Sequence, residues 1–597
     1  MEIKITQLDL GIIGAYIVIV VAMGFWVSRR AGQDMDSYFL GGKSLPWYML
    51  GIANASSMFD ITGTMWLVYV LFVYGLKGAW LPWLWPTFNQ IFLMIYLAVW
   101  IRRSNVLTGA EWITTRFGSG VGGEMSRLSV VIFALVSVVG FLSYAFQGIG
   151  KFAGVFFPWE LSNNMYAIIL MGITTIYVIV GGMYSVVLTD LLQFAILAVA
   201  SIFIAGIAMS KVTGTEILAA VPDSWTNLLW DWKLNLDWSG IIPTVNGKIV
   251  EDGYSFFTII MMMILFKGIL ISMAGPAPNY DMQRVLATRR PKESAFMSGI
   301  VSICLFPRWL MIAGITVLAL VFFKQDIIAM GTNIDFEQLL PHVVNNFIPA
   351  GLKGLLLAGL LAAFMSTFDA TVNAGAAYIV NDIYKRYIKK DGTDRRYVIM
   401  SYISSIGVVI VGIIAGFFAK SIDQVMQWIV SGLYGGYTAP NLLKWHWWRF
   451  NGHGYFWGMI VGMAAALTFL IFFPEIQALN SFPVILLIST LASIIASLIT
   501  APEDDSVLKK FYAQVRPWGF WKPIYEKVVA ENPAFQKNTA FGRDMLNVLV
   551  GIFWQMTLVF IPVFLVIKNF ALMWIMVFVL ILTSFFLKKN WMDKLDE

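Results

Sequence analysis

The chain has 597 residues, of which 59% are hydrophobic and only 13% charged. A water-soluble protein carries about 25% charged residues, so most of this surface faces something other than water, which excludes a soluble enzyme. The formal net charge of +6 does not point to nucleic acid, because the basic residues cluster between apolar runs, as in the cytoplasmic loops of membrane proteins.

Apolar runs and the turn and charge signals between them predict an all-α polytopic membrane protein with about fifteen spans. In chain order they lie near 7–28, 47–75, 80–101, 125–157, 163–183, 187–211, 254–275, 294–323, 349–381, 397–419, 423–443, 453–474, 482–500, 546–568 and 570–588. The first span has no basic n-region before it and no A-x-A-like site after it. It is therefore expected to be retained rather than cleaved as a signal peptide. The single cysteine, Cys304, sits inside an apolar run and provides no disulfide framework.

The loops alternate in basicity. One set carries Arg29, Arg30, Lys43, Arg102, Arg103, Arg116, Arg284, Arg289, Arg290 and Lys292, then Lys385, Arg386, Lys389, Lys390, Arg395, Arg396, Lys444, Arg449, Lys509, Lys510, Arg516, Lys522, Lys588 and Lys589. The other set is acidic or sparse, with Glu160, Asp223, Asp231, Asp237, Glu251, Asp252, Asp326, Asp335 and Glu337. Positive charge stays cytoplasmic, which places the amino terminus outside and the carboxyl terminus inside, and requires an odd number of spans. Two longer loops, 212–253 outside and 501–545 inside, are expected to be linkers with amphipathic pieces rather than folded caps. The expected units are a first helix and loop (1–46), a ten-helix core (47–443), two added helices (444–500), the cytoplasmic segment (501–545) and two last helices (546–597).

Breaks within the spans carry the functional information, because lipid-exposed backbone must satisfy its own hydrogen bonds. The second span contains Gly51-Ile-Ala-Asn-Ala-Ser-Ser-Met-Phe-Asp60-Ile-Thr-Gly63. Small residues let such a helix unwind, and the freed carbonyls can coordinate a cation. Packing of small residues explains the Gly and Ala positions but not Asp60, since a carboxylate at membrane depth is costly unless paired or coordinated. The ninth span holds Ser366, Thr367, Asp369, Thr371 and Asn373. Hydroxyls can bond back to their own helix, but with Asp369 beside them they form hard oxygen ligands suited to Na⁺. Lys267 in the seventh span and Arg308 in the eighth lie away from the predicted ends, where snorkelling is harder. Each either pairs with Asp60 or Asp369 or meets an anionic group of a solute.

Rival chemistry is absent. There is no Walker P-loop for ATP-driven transport, no HExxH among His342, His446 and His453, no serine nucleophile elbow and no GxGD pattern. No enzymatic activity and no organic cofactor are expected.

Several motifs bear a family resemblance. Gly181-Gly-Met-Tyr-Ser-Val-Val-Leu-Thr189-Asp190-Leu-Leu-Gln193 resembles the GGxxxVxxTDxxQ signature of the sodium:solute symporter family. Ser37-Tyr-Phe-Leu-Gly-Gly-Lys-Ser-Leu-Pro-Trp47, Thr108-Gly-Ala-Glu-Trp-Ile-Thr-Thr-Arg-Phe117, Gln283-Arg-Val-Leu-Ala287 and Phe364-Met-Ser-Thr with Asn381-Asp-Ile-Tyr384 fit it too. The matches are ordered and spread over roughly residues 1–450. The resemblance implies a LeuT-type core of two inverted five-helix repeats, with the second and seventh spans as the broken first and sixth core helices. It implies a sodium site joining core helices 1 and 8, made by Ala363, Ser366 and Thr367 on one side. Ala55 and Met58 complete it through an Ala-Ser-x-Met match with the proline-transporting branch. Asp190, with Asp369, would serve a second sodium site. Ser57, Asp60, Thr62 and Lys267 are the candidate solute contacts.

The sugar-transporting branch places Gln or His where this chain has Thr62 or Gly63. Its Glu on core helix 2 is absent from Trp80-Leu-Pro-Trp-Leu-Trp-Pro86, and its Asn on core helix 6 has no match around Ile271. The expected function is secondary active uptake of a small organic solute (a sugar, an amino-acid-like compound or an organic acid) driven by inward Na⁺ flow across the plasma (inner) membrane. The departures favour a zwitterion or an organic acid. The alternatives are a proton-coupled carrier relaying through Asp60 or Asp369, and a transporter-like receptor signalling through the segment from Ala501.

Overall fold

The structure is a computed structural model describing residues 5–31, 33–84, 89–228, 231–254, 256, 268–331, 336–419, 434–473, 476 and 478–595. Within these residues helices carry the fold, and a single isolated bridge joins Trp447 to Phe520. Ten described helices are long and apolar enough to cross a bilayer, and two shorter apolar helices, Asn89–Arg102 and Asn163–Ile176, accompany them.

The main helices are α1 (Gln7–Ala31), α2 (Trp47–Met58), α3 (Ile61–Tyr74), α4 (Asn89–Arg102), α5 (Val121–Phe156) and α6 (Asn163–Lys211). They continue with α7 (Pro291–Phe322), α8 (Leu352–Ile388), α9 (Asp394–Phe418), α10 (Tyr434–His446), α11 (Gly452–Phe472) and α12 (Ala478–Ile499). Two short helices, α13 (Asp505–Val515) and α14 (Lys522–Glu531), precede α15 (Phe541–Val566) and α16 (Phe570–Asn590). The solvent-free core is formed by α3, α4 and α8, while α16 turns Trp574, Phe578 and Ile581 outward. Outward apolar side chains of this kind suit lipid rather than water.

The expected second span is two helices. α2 ends at Met58, Phe59 leaves helical geometry (φ −82°, ψ 41°), and Asp60 is extended (φ −67°, ψ 150°) before α3 begins. Asp60 caps α3 by accepting a hydrogen bond from the Gly63 amide at 2.6 Å, as N-cap carboxylates do.

Elsewhere the boundaries shift for identifiable reasons. The fifth and sixth expected spans run together as α6 with no intervening loop, bent at Gly182 (φ 49°, ψ −152°). A Cβ there would stand 2.7 Å from the Tyr38 carbonyl oxygen, so the signature's second glycine serves both the kink and the close approach. The third span is not α-helical from residue 80, because Gly75–Leu84 forms 3₁₀ turns; its described α-helix runs from Asn89, with 85–88 outside the described residues. The eighth is interrupted at Leu305, where Pro307 follows in the first turn of the second piece, Phe306–Phe322. The seventh and eleventh spans lie largely outside the described residues.

Both long loops are folded caps, contrary to the linker expectation. In the 212–253 loop, Trp225 and Trp238 are fully buried, and their indole nitrogens donate to the Phe72 and Val73 carbonyls at the end of α3. In the 501–545 segment, α13 buries Leu508, Phe511 and Val515, and α14 buries Ile524. Each cap had an apolar face to cover, and the protein surface beside it was available.

Candidate ion and solute site

α2 and α8 meet at the break between α2 and α3. The Ser57 hydroxyl lies 2.9 Å from the Ser366 hydroxyl and 3.1 Å from the Ser366 carbonyl. Thr367 donates to the Ser57 carbonyl at 2.6 Å and to the Ala363 carbonyl at 3.2 Å. Six oxygens from two helices thus converge where one helix stops. All are neutral and hard, the donor type for Na⁺ rather than for a soft metal. Among the described residues no cluster of His, Cys, Asp and Glu suits a transition metal.

Behind this cluster sits a buried cation. Arg284 is fully buried and donates to the Ser57 hydroxyl at 2.7 Å, to Asp190 Oδ2 at 2.9 Å and to Asn54 Oδ1 at 2.9 Å. In its satisfied orientation the Gln193 amide donates to Asp190 Oδ1 at 3.1 Å and accepts from the Tyr16 hydroxyl at 3.0 Å. The Thr-Asp-x-x-Gln signature therefore holds one guanidinium against the serine of the broken helix. A buried pair of this sort is costly to break, since the survivor keeps an uncompensated charge.

In front of the cluster opens a cavity of about 220 Å³ lined by Ser57, Met58, Asp60 and Thr367 together with Asn89, Gln90, Tyr144 and Arg308. Trp66, Phe141, Tyr280 and Trp309 form its apolar walls, and Gln555 reaches it from α15. Asp60 is paired here, with Arg308 Nη2 at 3.0 Å and the Tyr144 hydroxyl at 2.9 Å. Arg308 also donates to the Met58 carbonyl at 2.5 Å and to the Thr64 hydroxyl at 3.1 Å. The guanidinium thus meets the negative carboxyl end of α2, and the carboxylate meets the positive amino end of α3. Of the two partners expected for Arg308, Asp60 is the one it meets.

The structure brings Ser57, Ala363, Ser366 and Thr367 together, with Met58 and Asp60 at the rim. The Ala55 carbonyl accepts from the Phe59 amide at 2.9 Å as the last turn of α2, and the Met58 carbonyl faces Arg308. The freed carbonyl directed at α8 is that of Ser57, a role the sequence reading did not assign. Thr62 does not line the cavity but is buried against Gly148 of α5, where a Cβ would stand 1.9 Å from its hydroxyl oxygen. Asp190 is paired with Arg284, and Asp369 is buried on α8. Lys267 lies outside the described residues.

Sequence reasoning missed Arg284, Asn89, Gln90 and Tyr144. Arg284 was counted with the loop cations, although its place beside Gln283 in a family motif was a usable signal. Asn89 and Gln90 fell inside the expected third span, 80–101, and were not singled out there.

A sequence profile of the Sodium:solute symporter family matches residues 38–462. The chain belongs to that family. A sodium/myo-inositol cotransporter of Mus musculus is 25% identical across 91% of this chain and 79% of its own length. Sodium/glucose cotransporter 1 of Oryctolagus cuniculus is 24% identical across 77% of this chain and 71% of its own. A sodium/glucose cotransporter of Vibrio parahaemolyticus is 24% identical across 78% and 84%. Among solved structures, a Na⁺-coupled sialic acid symporter in a substrate-bound outward-open state superposes with a TM-score of 0.66, at 17% identity, over 84% of this chain and 99% of that one. That likeness establishes the fold as LeuT-type. The symporter is an integral, multi-pass membrane protein, and its family and relatives are transporters rather than enzymes.

Proposed function

We propose that the chain takes up a small organic solute by alternating access, driven by Na⁺ bound between α2 and α8. The observation that carries this reading is the set of oxygens from Ser57, Ala363, Ser366 and Thr367 at the helix break, directly behind the cavity. Sodium would replace the hydrogen bonds that now close this cluster, with the Ala55 and Met58 carbonyls as further ligands on small movements of the unwound turn. The ion then bridges two helices and favours the state in which they stay together. Solute binding beside it tightens sodium binding by the same factor as sodium tightens solute binding. Inward Na⁺ movement supplies about 2.3 kcal/mol per 100 mV of membrane potential.

For the solute, the cavity offers two chemistries. The Asp60–Arg308 pair suits a zwitterion or an organic acid that takes one partner of the pair. The side-chain amide oxygens of Asn89 and Gln90 have no partner among the described residues and suit hydroxyl donors, as on the sugars and polyols for which the relatives are named. Proton coupling through Asp60 finds no support in the geometry, because Arg308 and the Tyr144 hydroxyl already occupy its carboxylate. The amino terminus is placed outside and the segment from Ala501 inside on loop charge.

The deciding experiment is uptake into proteoliposomes of sugars, polyols, amino acids and organic acids under an imposed Na⁺ gradient, with choline replacing Na⁺ as control. Uptake that needs Na⁺ supports the reading. Uptake that follows a pH gradient with choline refutes it and selects the proton carrier.

A further inference from the structure

A second cavity, of about 280 Å³, lies at the far end of α4 from the solute site, between that helix, the 501–545 cap and the last helix. Five cationic side chains, Arg103, Arg516, Lys537, Arg543 and Lys594, converge on it, against one carboxylate, Asp544. Asp596 and Glu597 follow in sequence outside the described residues, and even with them the cations are in excess.

Basic loops alone would be the ordinary mark of a cytoplasmic face. This cavity is built further. Tyr96 lines it while only 3% exposed, and its hydroxyl has no hydrogen-bond partner among the described residues. The Trp591 indole nitrogen is also buried there, again without a partner among the described residues. A buried donor left unsatisfied costs free energy, so two of them beside a concentration of positive charge point to an absent acceptor with negative charge. The walls are held in place: Arg103 donates to the Val515 carbonyl at 2.9 Å, and Asn538 donates to the Arg516 carbonyl at 3.0 Å. Trp100 and Trp591 close the sides with flat apolar surface.

We propose that this cavity binds a phosphate-bearing anion and that the bound anion ties the end of α4 to the cap and to α16. Phosphate oxygens match both the guanidinium groups and the neutral donors. Tyr96 stands in a π-helical turn, Leu93–Leu97, midway along α4, and such turns mark sites where a helix adjusts. The same helix carries Asn89 and Gln90 at its other end, so anchoring this end restrains one wall of the solute cavity. On the orientation given above this face is cytoplasmic, where phosphate esters and phosphorylated lipid headgroups both occur.

The test uses the full-length protein in detergent at constant ionic strength, titrated with inorganic pyrophosphate and, separately, with a short-chain phosphatidylinositol phosphate. Tryptophan fluorescence and the thermal unfolding midpoint are recorded. Saturable binding with a raised midpoint is expected for at least one probe; binding of pyrophosphate assigns a free phosphate ligand, and binding of the lipid alone assigns a headgroup. Lys537→Gln and Arg543→Gln should each weaken it about tenfold, as loss of a charge-assisted hydrogen bond does. Tyr96→Phe should weaken it severalfold without moving the unliganded midpoint. Lys509→Gln, whose lysine pairs with Glu531 outside the cavity, should not change it. Saturable binding of neither probe, or equal affinity in the Lys537→Gln/Arg543→Gln double variant, overturns the proposal.

Discussion

Replacing Ser366 by Ala removes one oxygen from the cluster between α2 and α8. In the structure that hydroxyl lies 2.9 Å from the Ser57 hydroxyl and also interacts with the Asp190 carboxylate, which keeps Arg284 and Gln193 as partners. Because Arg284 still holds both the Ser57 hydroxyl and Asp190, loss of the Ser366 hydroxyl in the sodium-free protein is limited to the ~1 kcal/mol of an ordinary hydrogen bond. With Na⁺ bound the same oxygen faces a full charge, and such contacts contribute about 1.5–3 kcal/mol. The difference, about 0.5–2 kcal/mol, predicts a rise in the Na⁺ concentration for half-maximal uptake of about twofold to thirtyfold. Folding should be little changed, because Ala fits the space and the helix interior tolerates it. The assay is solute uptake in proteoliposomes across a Na⁺ series, with protein amount and thermal midpoint measured in parallel. Thr371→Ala is the matched control: its hydroxyl donates only to the Thr367 carbonyl, one turn along the same helix, at 2.6 Å. An unchanged Na⁺ dependence in Ser366→Ala, or an equal shift in Thr371→Ala, would refute the site.

Arg308→Gln and Asp60→Asn should each destabilise the protein and abolish uptake, by about 3–5 kcal/mol where a buried charge loses its partner; the double variant should recover much of the thermal midpoint but not the uptake. Gly148→Ala places a Cβ 1.9 Å from the Thr62 hydroxyl oxygen and should cost about 1–3 kcal/mol as an overpacked contact; combining it with Thr62→Ala should restore part of the lost folded yield. At the 212–253 cap, Lys77 is fully buried and donates to Asp231 and to the Leu234 carbonyl. Asp231→Asn strands that ammonium and should therefore lower the midpoint more than Lys77→Met, measured side by side. The Lys77 ammonium, first by its hydrogen bond and then by its charge, holds Asp231 below the usual carboxylate range. A lowered carboxylate pKa stabilises above the unfolded value and fades as pH falls through the folded one. The cap should loosen below about pH 4, an effect limited to about 1 kcal/mol for so exposed an acid and absent in Lys77→Met.

How much was legible in advance varies by element and has a physical basis. The helical spans were readable because a bilayer demands long apolar runs, and those are local. The break in the second span was readable for the same reason, since Gly, Ser and Asp at membrane depth contradict the run around them. Loop charge was a weaker guide. Arg102, Arg116, Arg284 and Lys444 were counted as loop cations, yet all four are buried. Arg116 donates to the carbonyls of Lys444, Trp447 and Phe450, closing chain ends that are some 330 residues away in sequence.

From its residues alone, then, this chain determined that it spans a membrane, where its helices are interrupted, and through ordered motifs which family it resembles. Tertiary structure alone decided which charges face each other. Asp60 meets Arg308, and Asp190 meets Arg284. It also decided that Ser57 turns its carbonyl to Thr367, that Thr62 packs away from the cavity, and that the two long loops fold as caps. Spans follow from the cost of burying backbone in lipid, a cost each segment meets by itself. Charge pairing and cavity lining depend on which helices become neighbours, and no local stretch of sequence carries that information.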